Sequence, residues 1–127
     1  LDELAIKSDV VSLHVHVNDE TKDMISESFL SKCKKDVKII NTSRGEIVCE
    51  KDLINFLSSN NYSFYATDVI ANEQLSKKKS PIIKAAKILK NQIIITPHIG
   101  GMTVEAQLAA FTHAAKLLRD FLKSNNF

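Results

Sequence analysis

The rhythm of apolar positions changes several times along the chain between a strand-like and a helix-like repeat. Asp9-Val10-Val11-Ser12-Leu13-His14-Val15 predicts a buried strand, preceded by a short helix over about Leu1 to Lys7. Ser26 stands where it could cap a short helix through Phe29, Leu30 and Cys33. Val37-Lys38-Ile39-Ile40-Asn41 predicts a second strand, and a helix follows from about Glu50 to Ser58 with Leu53, Ile54 and Leu57 turned inward. A third strand is expected over Ser63 to Thr67, with Asp68 at its carboxyl end. Ile70 to Ser80 is mostly polar and reads as a loop. Pro81 to Leu89 then reads as a helix with proline at its first position, where no amide hydrogen is needed. Gln92 to Ile95 is the fourth strand.

The last helix has the clearest pattern. Val104, Leu108, Phe111, Ala115, Leu118 and Leu122 recur at spacings of three and four, which makes one continuous apolar stripe. Thr103 is placed to cap it, and Glu105 lies in its first turn, where a negative charge is favoured. Lys116, Arg119, Asp120 and Lys123 occupy the other face, so the stripe is expected to pack into a core and not to enter a membrane. Strands alternating with helices imply an α/β fold with a parallel sheet and right-handed crossovers.

Composition narrows the partners. The chain has 127 residues, 44% hydrophobic and 25% charged, as expected for one globular domain or part of one. A formal net charge of +2 argues against nucleic acid and against a charged membrane surface. Lys34-Lys35 and Lys77-Lys78-Lys79 read as solvated loop residues. No apolar run has the length of a membrane span, and no signal peptide is visible. Cys33 and Cys49 lack the spacing of a metal or redox pair; Cys33 reads as a reduced core cysteine, and a cytoplasmic setting is expected.

The chemistry-bearing residues gather at the strand ends. Parallel strands place all their carboxyl ends on one edge, where open α/β sheets bind ligands. His14 to His16, Thr42-Ser43-Arg44, Asp68 and His98 fall there, with Glu73 on the loop beyond Asp68. His98 lies in Thr96-Pro97-His98-Ile99-Gly100-Gly101, directly after Ile93-Ile94-Ile95. An imidazole so placed can move protons near neutral pH, and glycines let backbone come close to a ligand. Taken singly, Arg44 reads as a surface residue, Asp68 as a turn cap and Glu73 as a solvated carboxylate. His113 reads as structural or exposed. His14 and His16 invite a metal, yet no carboxylate or cysteine completes a ligand set at suitable spacing, so no metal is expected. Only three glycines are present, Gly45, Gly100 and Gly101, so the Gly-x-Gly-x-x-Gly phosphate loop is missing.

Four segments together resemble the D-isomer-specific 2-hydroxyacid dehydrogenases. They are Ser8 to His14, Asn41-Thr42-Ser43-Arg44-Gly45, Asp68-Val69 with Glu73 five positions after the aspartate, and Thr96-Pro97-His98-Ile99-Gly100. The resemblance covers nearly the whole chain. Within the family, His98 to Gln107 is most similar to the D-3-phosphoglycerate dehydrogenases. The resemblance implies a partial Rossmann-type parallel sheet with flanking helices. Residues 1–127 would be the C-terminal portion of a dinucleotide-binding domain, with the last helix leading out of it.

It further implies that Arg44 grips the substrate carboxylate and polarises the reacting carbonyl. His98 would take the hydroxyl proton, and Glu73 would hold the imidazole and favour its protonated form. Asp68 would meet the nicotinamide end of NAD, with Val15, Thr42, Ser43 and Gly100 lining the cofactor. NADP stays open, because the discriminating acid follows a strand upstream. The implied partner is a small 2-hydroxy or 2-keto acid, 3-phosphoglycerate among them, and the complete protein would be a homodimer. A noncatalytic relative that senses a dinucleotide or binds a partner is the alternative. The chain departs from the family pattern at His16 and Gln74, where proline is usual, at Glu46, where a second glycine is usual, and at Cys49, where an acid is common.

Overall fold

The structure is a computed structural model and describes residues 1–73 and 80–125. It divides into two compact units, Leu1–Pro97 and His98–Phe127.

The first unit is built as helix α1 (Asp2–Lys7), strand β1 (Val10–Leu13), α2 (Glu27–Leu30), β2 (Lys38–Asn41), α3 (Glu50–Ser59), β3 (Phe64–Thr67), α4 (Pro81–Ile88) and β4 (Ile93–Ile95). All three strand pairings are parallel, in the order β1-β2-β3-β4. Each expected strand and helix of this unit is present, and most are a residue or more shorter than the apolar runs suggest. Residues 74–79 of the expected Ile70–Ser80 loop lie outside the described residues. At the ends of that loop Ile70 and Ser80 are buried, whereas Asn72 is exposed.

Side chains alternate across the pleat, so every second residue of each strand faces the same side. The register aligns Val11, Ile39, Tyr65 and Ile93 in one row and Leu13, Asn41, Thr67 and Ile95 in the next. These rows meet the helices and form the core with Ile25, Leu30, Ile47, Leu53, Leu57 and Ile82. Neighbouring positions on the opposite face, such as Val10 and Ile94, are more than half exposed. A parallel sheet normally carries helices on both faces; the first unit covers one.

Two links between elements come from side chains that the local pattern does not announce. Ser26 occupies the N-cap of α2 without a side-chain cap bond, and Asp52 Oδ2 instead accepts from the Glu27 amide at 2.9 Å. Gln92 Nε2 donates to the carbonyls of Leu57, Asn60 and Ser63 at 2.9 to 3.1 Å. These bonds fasten the start of β4 to the end of α3 and to the turn that follows it. Cys33 is half-buried against the core, with Sγ 3.6 Å from the Phe29 carbonyl, and burial pushes its thiol pKa up. Both cysteines are free.

The second unit carries α5 (Val104–Ser124). Thr103 caps it as expected, accepting from the Ala106 amide at 3.1 Å. The expectation that its stripe packs into a core is corrected: no residue of α5 is buried, and Val104, Leu108, Phe111 and Leu118 are all well exposed. Periodicity marks a face able to be buried, and it does not supply the surface that buries it.

Burial holds the Tyr65 hydroxyl pKa above its ordinary value, opposed in part by hydrogen bonds from Thr67 and Asn41. The folded state therefore keeps this proton at a pH where the unfolded chain releases it. Stability from this group is complete below about pH 10 and is lost as pH rises through the folded value. Urea titrations between pH 8 and 11 are expected to show stability falling at the alkaline end, with a flatter fall in Tyr65→Phe.

Candidate active site

The register fixes where the chain leaves the sheet. Leu13, Asn41, Thr67 and Ile95 end their strands at one level, so His14, Thr42, Asp68 and Thr96 follow in a row along the carboxyl edge. Cross-links fasten that row. Ser43 Oγ donates to the Val15 carbonyl in a short hydrogen bond, the Asp68 amide donates to Asn41 O at 3.0 Å, and the Thr96 amide donates to Thr67 O at 2.9 Å. Beneath it, Ser12 Oγ and His14 Nε2 are 2.8 Å apart.

Asn41 builds the arginine loop. Its side chain is fully buried, and a buried amide without partners would be costly. Its Oδ1 accepts from the Ser43 amide at 3.0 Å, and its Nδ2 donates to the Arg44 carbonyl at 2.8 Å. The chain from 41 to 44 is thus folded around one side chain, and Arg44 stands exposed above it, with one guanidinium nitrogen donating to Ser43 O at 2.7 Å. Thr67 does the same for the next loop: its hydroxyl bonds both the amide and the carbonyl of Val69.

The two loops meet at Gly45. A Cβ built there would lie 2.0 Å from the Ile70 carbonyl carbon and 2.2 Å from the Ala71 nitrogen. No side chain fits between these stretches of backbone. Glu50, in the first turn of α3, strengthens the junction: its carboxylate accepts from the Ala71 amide, the Ser80 hydroxyl and the Ile82 amide. A carboxylate at the start of α4 is also favoured by the helix dipole.

Asp68 and Glu73 share a hollow of about 180 Å³ with Ile70, Ile83, Ile95, Thr96 and Pro97. Its walls are largely aliphatic. Thr96 Oγ1 donates to Asp68 Oδ1 at 2.5 Å, which fixes that carboxylate beside the strand end.

His98 opens the second unit, directly after Pro97. Its backbone has φ 59°, in the left-handed region that residues with a side chain seldom adopt, asparagine, aspartate and histidine more often than the rest. Such a conformation persists where the surroundings hold it, and it concentrates at functional positions. Gly100 lies in the turn before α5. Gly101 meets nothing within 4 Å of a built Cβ, in contrast to Gly45. Of the expected site residues, the first unit brings Val15, Thr42, Ser43 and Arg44 into one tied edge and Asp68 and Glu73 into one hollow. The sequence alone assigns no role to Asn41, Gly45 or Glu50: an asparagine ending an apolar run and a glycine after Arg44 are visible there, and their remote partners are not.

The sequence and the fold have matches among known proteins. The family profile described as D-isomer specific 2-hydroxyacid dehydrogenase, NAD binding domain, matches residues 1–100. A hydroxypyruvate reductase of Blautia hydrogenotrophica is 35% identical over 125 residues, 98% of this chain and 37% of that protein. A D-3-phosphoglycerate dehydrogenase of Synechocystis is 33% identical over 122 residues, 96% of this chain and 21% of that protein. The solved D-lactate dehydrogenase of Aquifex aeolicus, complexed with NAD and lactic acid, superposes with a TM-score of 0.75 at 32% identity, over 97% of this chain and 40% of that one. The chain thus spans between a fifth and two fifths of the length of these relatives.

Gly45→Ala is expected to lower stability by about 3 kcal/mol or more, since backbone must move to admit the methyl group. Gly101→Ala should stay within about 0.5 kcal/mol. Urea denaturation of the two variants checks the contrast.

Proposed function

The chain belongs to the D-isomer-specific 2-hydroxyacid dehydrogenase family, through its NAD-binding domain, and from that premise we propose that it carries the nicotinamide side of a dehydrogenase site. In this reading residues 1–127 are the C-terminal portion of the dinucleotide-binding domain, with α5 leading out of it. The observation that carries the reading is the tied carboxyl edge: Arg44 on a loop wrapped around Asn41, joined through Gly45 to the loop bearing Asp68 and Glu73.

The residues present fit one end of NAD. A hollow of about 180 Å³ with aliphatic walls and a fixed carboxylate suits a single flat ring with a polar group; pockets for whole drug-sized ligands begin at about 300 Å³. The phosphates would need glycine-rich backbone, and this chain has three glycines, none in a Gly-x-Gly-x-x-Gly pattern. Asp68 would face the ring, with Val15, Thr42, Ser43 and Gly100 lining its approach. When bound, the nicotinamide supplies the hydride acceptor or donor.

The chain's own residues do the rest. Arg44 grips the carboxylate of a 2-hydroxy acid with a planar, permanently charged fork and draws electron density from the oxygen at C2. His98 accepts the C2 hydroxyl proton in oxidation and returns it in reduction. In this reading Glu73 would serve to orient the imidazole. Identity to hydroxypyruvate and phosphoglycerate enzymes supports a small 2-hydroxy or 2-oxo acid as substrate, 3-phosphoglycerate among them. No described helix is long and apolar enough to cross a membrane. Two free cysteines support a reducing, cytoplasmic setting. The complete protein is a homodimer in this reading.

Expressed alone, these 127 residues are expected to give no turnover with NADH and a 2-oxo acid; robust turnover would sink the half-site reading. In an enzyme completed by an upstream phosphate-binding half, His98→Asn should lower kcat by about 10²–10⁴-fold. Arg44→Lys should chiefly raise KM for the acid, because a point charge replaces the fork. Unchanged steady-state constants in both variants would reject these roles.

A further inference from the structure

Glu46 is one of the positions where the chain departs from its family's pattern, and the structure gives it a definite partner. Its Oε1 accepts from the Asn72 amide at 3.1 Å, while its own carbonyl accepts from the Asp23 amide at 2.9 Å. Asn72 has φ 54° and immediately precedes Glu73. Asparagine tolerates this left-handed conformation better than most residues, yet it is still an uphill one, and a released Asn72 would relax toward ordinary backbone angles. Rotation at Asn72 re-aims the residue that follows.

The surrounding bonds make the tether specific. Gly45 presses against the backbone of Ile70 and Ala71, and Glu50 Oε1 accepts from the Ala71 amide at 3.2 Å. Contact thus advances one residue at a time along both segments, Gly45 at Ile70 and Ala71, then Glu46 at Asn72. Among the described residues the acceptor of the Asn72 amide is Glu46, and that bond carries the contact from Ala71 to the left-handed residue. An ionised carboxylate is the strong acceptor for a backbone amide, and glycine or alanine at position 46 would offer none.

We propose that Glu46 is a positioning residue for Glu73: its carboxylate holds Asn72 in the left-handed conformation that aims Glu73 into the hollow shared with Asp68. The proposal rests on the reading that Glu73 belongs to the catalytic loop. It acts through the Asn72 amide and requires no contact between Glu46 and substrate. It also gives a physical use to a carboxylate placed two residues after Arg44, where it would otherwise only oppose the arginine's charge.

The test is amide hydrogen exchange and ¹⁵N relaxation on this 127-residue chain. Removing the acceptor in Glu46→Ala should speed exchange at Asn72 about tenfold, the equivalent of one net hydrogen bond. Order parameters at Asn72 and Glu73 should fall from about 0.85 to below about 0.6. The Ala71 amide, held by Glu50, should keep its rate. Glu46→Gln retains a side-chain carbonyl at the same reach and should keep Asn72 within about threefold of the parent rate. Unchanged exchange at Asn72 in Glu46→Ala overturns the proposal, and so does a Glu46→Gln chain as loose as Glu46→Ala. These readouts need no turnover: failure of the tether appears in the amides, and failure of the functional reading appears only in the kinetics of the Arg44 and His98 variants.

Discussion

At Gly45 two stretches of main chain lie too close for any side chain to stand between them, and the rest of the proposed site depends on that approach. One stretch follows β2 and carries Arg44; the other follows β3 and carries Asp68 and Glu73. Loops are ordinarily the mobile part of an α/β fold. Here they are joined backbone to backbone, and each is also wound around a buried polar side chain, Asn41 for the first and Thr67 for the second. A cation and a pair of carboxylates are thereby carried on segments that are packed and hydrogen-bonded to one another. The proposed site would have to hold a carboxylate and a reacting carbon in fixed relation, and joined loops favour such positioning.

The sequence made the framework legible because parallel strands and amphipathic helices write a local period into the chain. Val10–Leu13, Lys38–Asn41, Phe64–Thr67 and Ile93–Ile95 were all anticipated, and parallel pairing alone then places His14, Thr42, Asp68 and Thr96 at one level. The fastenings were not legible. Glu50 to Ile82, Asp52 to Glu27 and Gln92 to Leu57 span 25 to 35 residues, and a hydrogen bond across such a distance leaves no periodic trace. Gly45 was visible as part of a motif, but the reason for a glycine lies in Ile70 and Ala71, which are remote in sequence. α5 shows the opposite limit: its stripe was read correctly and its burial was not, since a period identifies a face without its partner.

In the proposed reading the charged residues Arg44, Asp68 and Glu73 belong to the first unit, on loops where several backbone amides and carbonyls are committed to named partners. His98 belongs to the second unit, and its backbone is left-handed. A fixed frame for the charges is a matter of loop geometry inside the first unit, and the bonds of Asn41, Thr67 and Glu50 supply it.

The buried row of the sheet next to the site gives the clearest sign that the edge is shaped for more than stability. Leu13 and Ile95 flank Asn41 and Thr67, and an all-apolar row would pack as well without needing partners. Burying an amide and a hydroxyl is tolerable only when each is satisfied, and among the described residues no buried side-chain nitrogen or oxygen is left without a bond. Most of their bonds go to the backbone of residues 43, 44 and 69, and others to the Tyr65 hydroxyl and the Asn41 carbonyl. Each polar side chain in the row therefore turns the chain sharply at the moment it leaves its strand. A leucine at either position would keep the sheet and lose the turn, and with it the approach that only Gly45 permits.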